Sequence, residues 1–401
     1  MGRNTDNSTN LTDDEAKYLK LLGRTLLEGP FAVDDDGRRL ITTNAVKSGV
    51  FTLFYHDSYR GVKSGFEEYM VKCADSASLH YDTMLKTLRE VTDLLEADGV
   101  ETVLLKGPAL SEFYPKPELR QFSDIDLYLK ERNLAARSVR VLTERGYDYL
   151  SEKEHPHHLS FRSPNGVLIE LHTDVIRPLN PRKDGIIREL FKEACSYTVP
   201  ANIGNSVYEV FDKPLFALHV LLHSLEHYMG AGMGMKLICD NLVMLNALDD
   251  EGLEEYLYYI DALGIRGFLV TIVQCAYRYM DLDSNKTLKI TGGKKGKCDE
   301  CISAQFIKEC LQAGRFGETS RARVVGNESP GLCGMIRQVD RASYENWPNA
   351  YRMAVIRPIL WVMAIVRFIG NNKKLRGVKT SEVIKNARER GKIVKSMNLW
   401  E

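Results

Sequence analysis

Cysteine is scarce in this chain, at eight in 401 residues. That excludes a disulfide-stapled secreted scaffold, and most of the eight fall in apolar helical contexts, as reduced buried thiols do. A charge excess of either sign is also lacking. Lys plus Arg and Asp plus Glu each total 54, so the net charge is zero. There is therefore no strong case for long nucleic acid held by bulk electrostatics, while a small nucleotide stays open. A clean apolar run of about 20 residues, the length that spans a bilayer, is missing as well. The best candidate, Met353 to Gly370, is interrupted by Arg357, Pro358 and Arg367. It reads as a buried helix pair rather than a membrane span, with surface attachment as the lesser alternative. No apolar run follows Met1, so no secretory leader is expected. Asp6 stands where a myristoylation pattern has Ser or Thr. A reducing, cytoplasmic setting is the expectation. No internal repeat is visible.

What is present is an ordinary globular composition, long enough for two or three domains. Its most informative stretch runs from Val103 to Leu129 and reads as strand, tight turn, short helix, loop and second strand. The second strand carries Asp124 and Asp126. Strand residues i and i+2 share a face, so Ile125, Leu127 and Leu129 point into a core while Asp124, Asp126 and Tyr128 point the other way. At roughly 4 Å and an effective dielectric of about 20, two such carboxylates repel by about 4 kcal/mol. A divalent cation carrying phosphates is the economical way to offset that. The first strand ends at Lys106-Gly107-Pro108. Glycine permits a sharp turn and close approach of a ligand. Pro108 suits the first position of a helix running to Phe113, whose N-terminus would favour phosphate.

Downstream, His158 to Arg162 and Val167 to Val175 read as a hairpin around Asn165-Gly166. On its second strand Glu170, His172 and Asp174 share one face, opposite Val167, Ile169 and Leu171. Taken alone, these polar residues could be a solvated strand face, with Asp174 a spare candidate acid beside Glu170.

Three motifs together, Leu105-Lys106-Gly107-Pro108-Ala109-Leu110, Arg120 to Leu127, and Ile169-Glu170-Leu171-His172, resemble the uncharacterised nucleotidyltransferase family of the DNA polymerase beta-like superfamily. The resemblance implies an α+β fold, with a small mixed nucleotidyltransferase sheet flanked by helical regions. It implies that Asp124, Asp126 and Glu170 are catalytic and bind Mg²⁺ or Mn²⁺. It implies that Lys106 and Gly107 hold the phosphates of a nucleoside triphosphate such as ATP. Arg120, Ser123 and His172 join that nucleotide-binding set, with Arg120 either on the phosphates or bracing the loop. The chain departs from the superfamily at Pro108, where Ser or Gly is usual. Proline has no N–H donor, which removes one grip on a triphosphate.

The remaining chain divides into residues 1–98, a helical N-terminal region, 99–180, the nucleotidyltransferase core, and 181–401, a helical C-terminal domain. Thr12 to Glu15 reads as a helix cap with acids in the first turn. Asp34-Asp35-Asp36-Gly37 lacks the other ligands of a calcium loop and reads as an exposed turn. Residues 44–98 read as helices, and the last of them leads directly into the first strand. His155, His157 and His158 are a polar loop or a metal cluster, and the resemblance implies that His157 or His158 touches substrate. From Pro181 the chain reads as helical. His219, His223 and His227 form an i, i+4, i+8 stripe, without the H-E-x-x-H arrangement of a zinc helix. The resemblance adds His223, Lys236 and Asp240 to the nucleotide-binding set, on a helix pair closing over the cleft. Taken alone, Lys236 and Asp240 read as a surface ion pair. Gly230, Gly232 and Gly234 between those helices allow close packing or a lid. Residues 284–301 read as an exposed Gly- and Lys-rich loop. Cys298, Cys301, Cys310 and Cys333 are free thiols or, less well spaced, a zinc site. The basic tail after Gly370 reads as a solvated helix, with RNA or anionic lipid as alternative partners.

The function expected is metal-dependent transfer of a nucleoside monophosphate from a nucleoside triphosphate to a hydroxyl of an unidentified acceptor, releasing pyrophosphate. The alternatives are a catalytically inactive nucleotide-binding or scaffold protein, or a D-x-D glycosyltransferase. The oligomeric state is left open.

Overall fold

A computed structural model describes residues 11–150, 157–180, 182–229, 232–292, 300–314, 336, 339–340, 343, 347–351, 353–371 and 391–400. Helix α1, Asp13–Glu28, opens on a capping box. Thr12 Oγ1 accepts from the Glu15 amide, and the Glu15 carboxylate accepts from the Thr12 amide. The acidic run that follows is not an exposed turn. Asp34 caps α2, Asp35–Ser48, by accepting from Gly37 N at 2.8 Å, and Asp35 and Asp36 occupy the first turn. The negative charges thus sit at the positive end of the helix dipole. Between α2 and α3 the chain makes two short 3-10 turns, Phe51–Phe54 and Asp57–Tyr59, rather than continuous helix. Helix α3, Gly65–Ala97, buries Met70, Ala74, Ala77, Tyr81, Met84, Leu88, Val91 and Leu95 along one stripe.

Strands β1 (Thr102–Leu104), β2 (Asp124–Leu129), β3 (Asp148–Tyr149), β4 (His158–Arg162) and β5 (Leu168–His172) form a mixed sheet in the order β1-β2-β5-β4-β3. Only β2 and β5 run parallel. That parallel pair needs a long crossover, supplied by α5 (Ala135–Glu144) with β3 and β4. The β4–β5 hairpin turns at Asn165-Gly166 as expected, with Gly166 at φ +89°. The single turn α4, Pro108–Ser111, sits between β1 and β2. Apolar residues on one face of β2 and β5, among them Ile125, Leu127, Ile169 and Leu171, are fully buried.

After α6 (Asp184–Ala194) the chain is not simply helical. Strands β6 (Val199–Ile203) and β7 (Ser206–Val210) make a second hairpin at Gly204. Helices α7 (Lys213–Met229), α8 (Met235–Ala247), α9 (Asp250–Leu263) and α10 (Arg266–Tyr279) follow. Residues 284–301 are not one loop either. Helix α11, Ser284–Thr291, occupies the first half, and α12, Glu300–Gln312, begins at its end. Buried apolar residues from Tyr18 to Met397 form one continuous core.

The helix Arg357–Asn371 also departs from expectation. It is a single helix whose Ile359, Val362, Met363, Val366 and Ile369 are exposed, not half of a buried pair. Among the described residues no helix is long and apolar enough to cross a membrane. His155, Gly230, Cys298, Cys333 and the basic segment 372–390 lie outside the described residues, as does the side chain of Cys301. Cys73, Cys195 and Cys239 are free thiols.

Candidate active site

The site starts from the alternation of β2. Asp124 and Asp126 leave the face opposite Ile125 and Leu127, and β5 lies alongside with Asp126 directly paired to Glu170. Parallel pairing in this register brings the third acid onto the same face as the first two. One oxygen from each of Asp124, Asp126 and Glu170 lies within 4.8 Å of the others. Asp174, the spare acid, does not join them. It lies beyond the end of β5 and is held by Arg188 at 2.7 Å and Arg132 at 3.4 Å.

Two cations offset the three carboxylates. Lys106 Nζ, at the end of β1, is 3.3 Å from Asp126 Oδ2 and 3.5 Å from His223 Nδ1. His172 Nε2 is 2.9 Å from Asp126 Oδ1 and 3.6 Å from Glu170 Oε2. Burial would push Asp126 up, but Lys106 and the His172 hydrogen bond outweigh it, and its carboxyl stays well below the usual range. Burial likewise opposes the charge on His172, yet its hydrogen bond to Asp126 and the nearby Glu170 carboxylate carry it to about 9. Asp124 has no such partner. Burial and the Asp126 charge raise it to about 6. Asp126 Oδ2 is buried without a properly oriented hydrogen bond, because Lys106 approaches it as a charge and not along a lone pair. Three hard oxygen donors, one with lone pairs unused, suit Mg²⁺ or Mn²⁺.

Above the acids lies a cleft of about 190 Å³ lined by Lys106, Gly107, Phe122, Ser123, Asp124, Asp126, Val220, His223, His227, Lys236 and Leu237. A larger cavity of about 640 Å³, between α3, β1 and β7, lies away from the acids. Gly107 turns the chain at φ +59°, ψ −118°, a conformation open to glycine. A Cβ there would meet Asp124 O at 3.1 Å. The helix after it is one turn only, so the site gains little from a helix dipole.

Arg120 lines the cleft, as does Asp240, but not as a free cation. It forms a buried bidentate pair with Asp240 of α8, at 2.8 and 3.0 Å, and donates to Gly107 O at 3.1 Å. Tyr114 Oη donates to the same Asp240 at 2.6 Å. The expected Lys236–Asp240 surface pair is therefore corrected: Asp240 is buried and belongs to Arg120. Lys236 lines the cleft without an ion pair to any described residue. Burial and nearby Arg120 lower its ammonium to about 8.

Histidines 219, 223 and 227 line α7, but among the described residues they do not converge as a metal group. Burial and then the Lys106 charge keep all three below the usual range, His219 at about 3 and His227 at about 4. Tyr114 and the Arg120–Asp240 pairing are the parts that sequence reasoning missed. Neither has a local signal, since the partners are 120 or more residues apart.

The model of a family described as uncharacterised nucleotidyltransferase matches residues 44–281, more than half of the chain. No curated protein matches. Among solved structures, the chain is similar to an antigenic nucleotidyltransferase-like protein from Paracoccidioides brasiliensis. That likeness is at 15% identity over 47% of this chain and 88% of the other, with a TM-score of 0.26.

Proposed function

The chain belongs to the uncharacterised nucleotidyltransferase family, and we propose that it transfers a nucleoside monophosphate from a nucleoside triphosphate to an acceptor hydroxyl with divalent-metal help. The observation that carries this is the convergence of Asp124, Asp126 and Glu170 from two parallel strands beside a cleft. Those oxygens would hold the ions. When bound, divalent cations there supply charge neutralisation on the phosphates and lower the pKa of the attacking hydroxyl.

The chain's own groups do the rest. Lys106 and Lys236 draw the phosphates into the cleft by charge. Gly107 lets the backbone come close to them, and Arg120 holds that turn by its bond to Gly107 O. His172 fixes the orientation of the Asp126 carboxylate. The neutral imidazoles of His223 and His227, with Val220 and Leu237, offer a surface for the base or the acceptor. The acceptor hydroxyl gives its proton to solvent, its oxygen bonds to the α-phosphorus, the bond from the α-phosphorus to the oxygen bridging to the β-phosphate breaks, and pyrophosphate leaves.

The test is incubation with α-labelled nucleoside triphosphates, Mg²⁺ and a cell-extract acceptor pool, with pyrophosphate release as the readout. Label transfer that disappears in Asp124→Asn, Asp126→Asn and Glu170→Gln, each shown by circular dichroism to keep its fold, is expected. Nucleotide binding without any transfer would favour the scaffold reading. Release of a nucleoside diphosphate from nucleotide sugars would favour the glycosyltransferase.

A further inference from the structure

The helix Arg357–Asn371 has two apolar faces, and the protein covers one of them. Leu360 and Ala364 are buried, and Trp361 Nε1 donates to Asp340 Oδ1 at 2.8 Å, so this stripe packs on the protein. The helical repeat puts Ile359, Val362, Met363, Val366 and Ile369 on the opposite side, each 43–63% exposed. Ile365 is exposed at one edge of that face and Arg367 at the other. A surface helix normally turns charged and polar side chains outward; here the outward face is apolar. Single exposed apolar residues are ordinary, and a contiguous set is not. Of twenty large apolar residues exposed among those described, eight lie between Met353 and Ile369.

We propose that this face docks on the surface of an anionic lipid bilayer, with the helix lying in the plane of the headgroups. The charge around it selects that occupant. From Asn346 to Ser381 the sequence has seven Lys or Arg and no Asp or Glu, in a chain whose net charge is zero. An apolar face with cations beside it is the pattern of an interfacial helix: the apolar side chains enter the acyl boundary while the cations meet anionic headgroups. A second copy of the chain fits less well. A two-fold contact through the same face would bring two such basic sequences together. RNA would meet the cations but leave the apolar side chains in water. The helix has 15 residues, short of the roughly 20 that span a bilayer, so it lies along the surface. Attachment uses no residue of the acid cleft and stands or falls apart from nucleotidyl transfer.

The experiment is flotation of the full chain with vesicles of phosphatidylcholine alone or of phosphatidylcholine mixed with phosphatidylserine. Binding to the mixed vesicles at least about tenfold tighter than to the neutral ones is expected, and added salt should weaken it. Val362→Asp combined with Val366→Asp puts charge at the centre of the face, at positions already in solvent. Binding should fall at least about tenfold while circular dichroism shows the fold kept. Leu79→Asp, at a 70% exposed position on α3, should leave binding unchanged. A second readout needs no variant to fold: hydrogen exchange across residues 353–369 of the unmutated protein should slow when the mixed vesicles are added. Equal binding to both vesicle types, no binding to either, full binding by the double variant, or exchange that the vesicles leave unchanged would each overturn the proposal. So would a dimer that the double variant dissociates, or a short oligoribonucleotide that binds in place of the vesicles.

Discussion

Asp126 on β2 and Glu170 on β5 are direct register partners in the one parallel pair of the five-stranded sheet. A slip of one residue would turn Glu170 into the core and Ile169 into the cleft. The apolar set Ile125, Leu127, Ile169 and Leu171 forbids that slip, so the same burial that stabilises the sheet also aims the acids.

The first prediction concerns Asp124 and pH. Its carboxyl is raised from 3.8 to about 6, so the folded state keeps a proton that the unfolded state has released. Its contribution to stability is therefore present below the unfolded value and is lost as pH rises through about 6. In metal-free protein, Asp124→Asn should raise the melting temperature above that pKa and have less effect below it. With Mg²⁺ present the order should reverse, the wild type being the more stable. Calorimetry at the two pH extremes, with and without Mg²⁺, checks both signs. A variant that gains nothing in metal-free buffer would contradict the electrostatic account.

The second concerns the Arg120–Asp240 pair, which is buried and bidentate. Removing one partner strands the other charge, at a cost of about 3–5 kcal/mol. Asp240→Asn and Arg120→Met should each show a loss of this size in urea unfolding, and Arg120→Met should also loosen the Gly107 turn. A loss below about 1 kcal/mol would place the pair among exposed ones, whose worth is that small.

The third tests the turn itself. Gly107→Ala forces an L side chain to φ +59° against Asp124 O. Strain of about 1–3 kcal/mol is expected, together with weaker nucleotide binding, because the turn adjoins Lys106. Equal stability and equal affinity in the alanine variant would show that the turn tolerates a Cβ.

The fourth concerns acid. His227 is lowered to about 4 and His219 to about 3, burial being the main cause. Their unfolded counterparts titrate near the ordinary value of 6.5, so the unfolded state binds protons first. Stability should fall as pH drops from 6.5 toward 4. His219→Gln should flatten that slope in chemical denaturation. An unchanged slope would move the acid sensitivity elsewhere.

The D-x-D strand and the β4–β5 hairpin were legible because their signals are local: alternation over six residues, and an Asn-Gly turn between apolar runs. The strand face of Glu170 was legible for the same reason, while its reading as the third acid came from the resemblance. The β6–β7 hairpin had a comparable signal in Gly204-Asn205, and the mixed polarity of Val199 to Val210 obscured it. Asp34 to Gly37 reads as a turn in sequence because a cap and a turn use the same residues; only the apolar spacing of Leu40, Ile41 and Ala45 separates them. Beyond the expectation that Arg120 braces the loop, the Arg120–Asp240–Tyr114 network could not be read. Its members are ordinary residues that become a unit only when α8 folds back over the β1–β2 connection.

The most direct measurement is calorimetric binding of a nucleoside triphosphate to the wild type, Asp126→Asn and Glu170→Gln, with and without Mg²⁺. Binding that requires Mg²⁺ and weakens at least about tenfold in either variant, at unchanged melting temperature, is the predicted result. Metal-independent binding, or binding that both variants retain in full, would contradict the assignment of these acids.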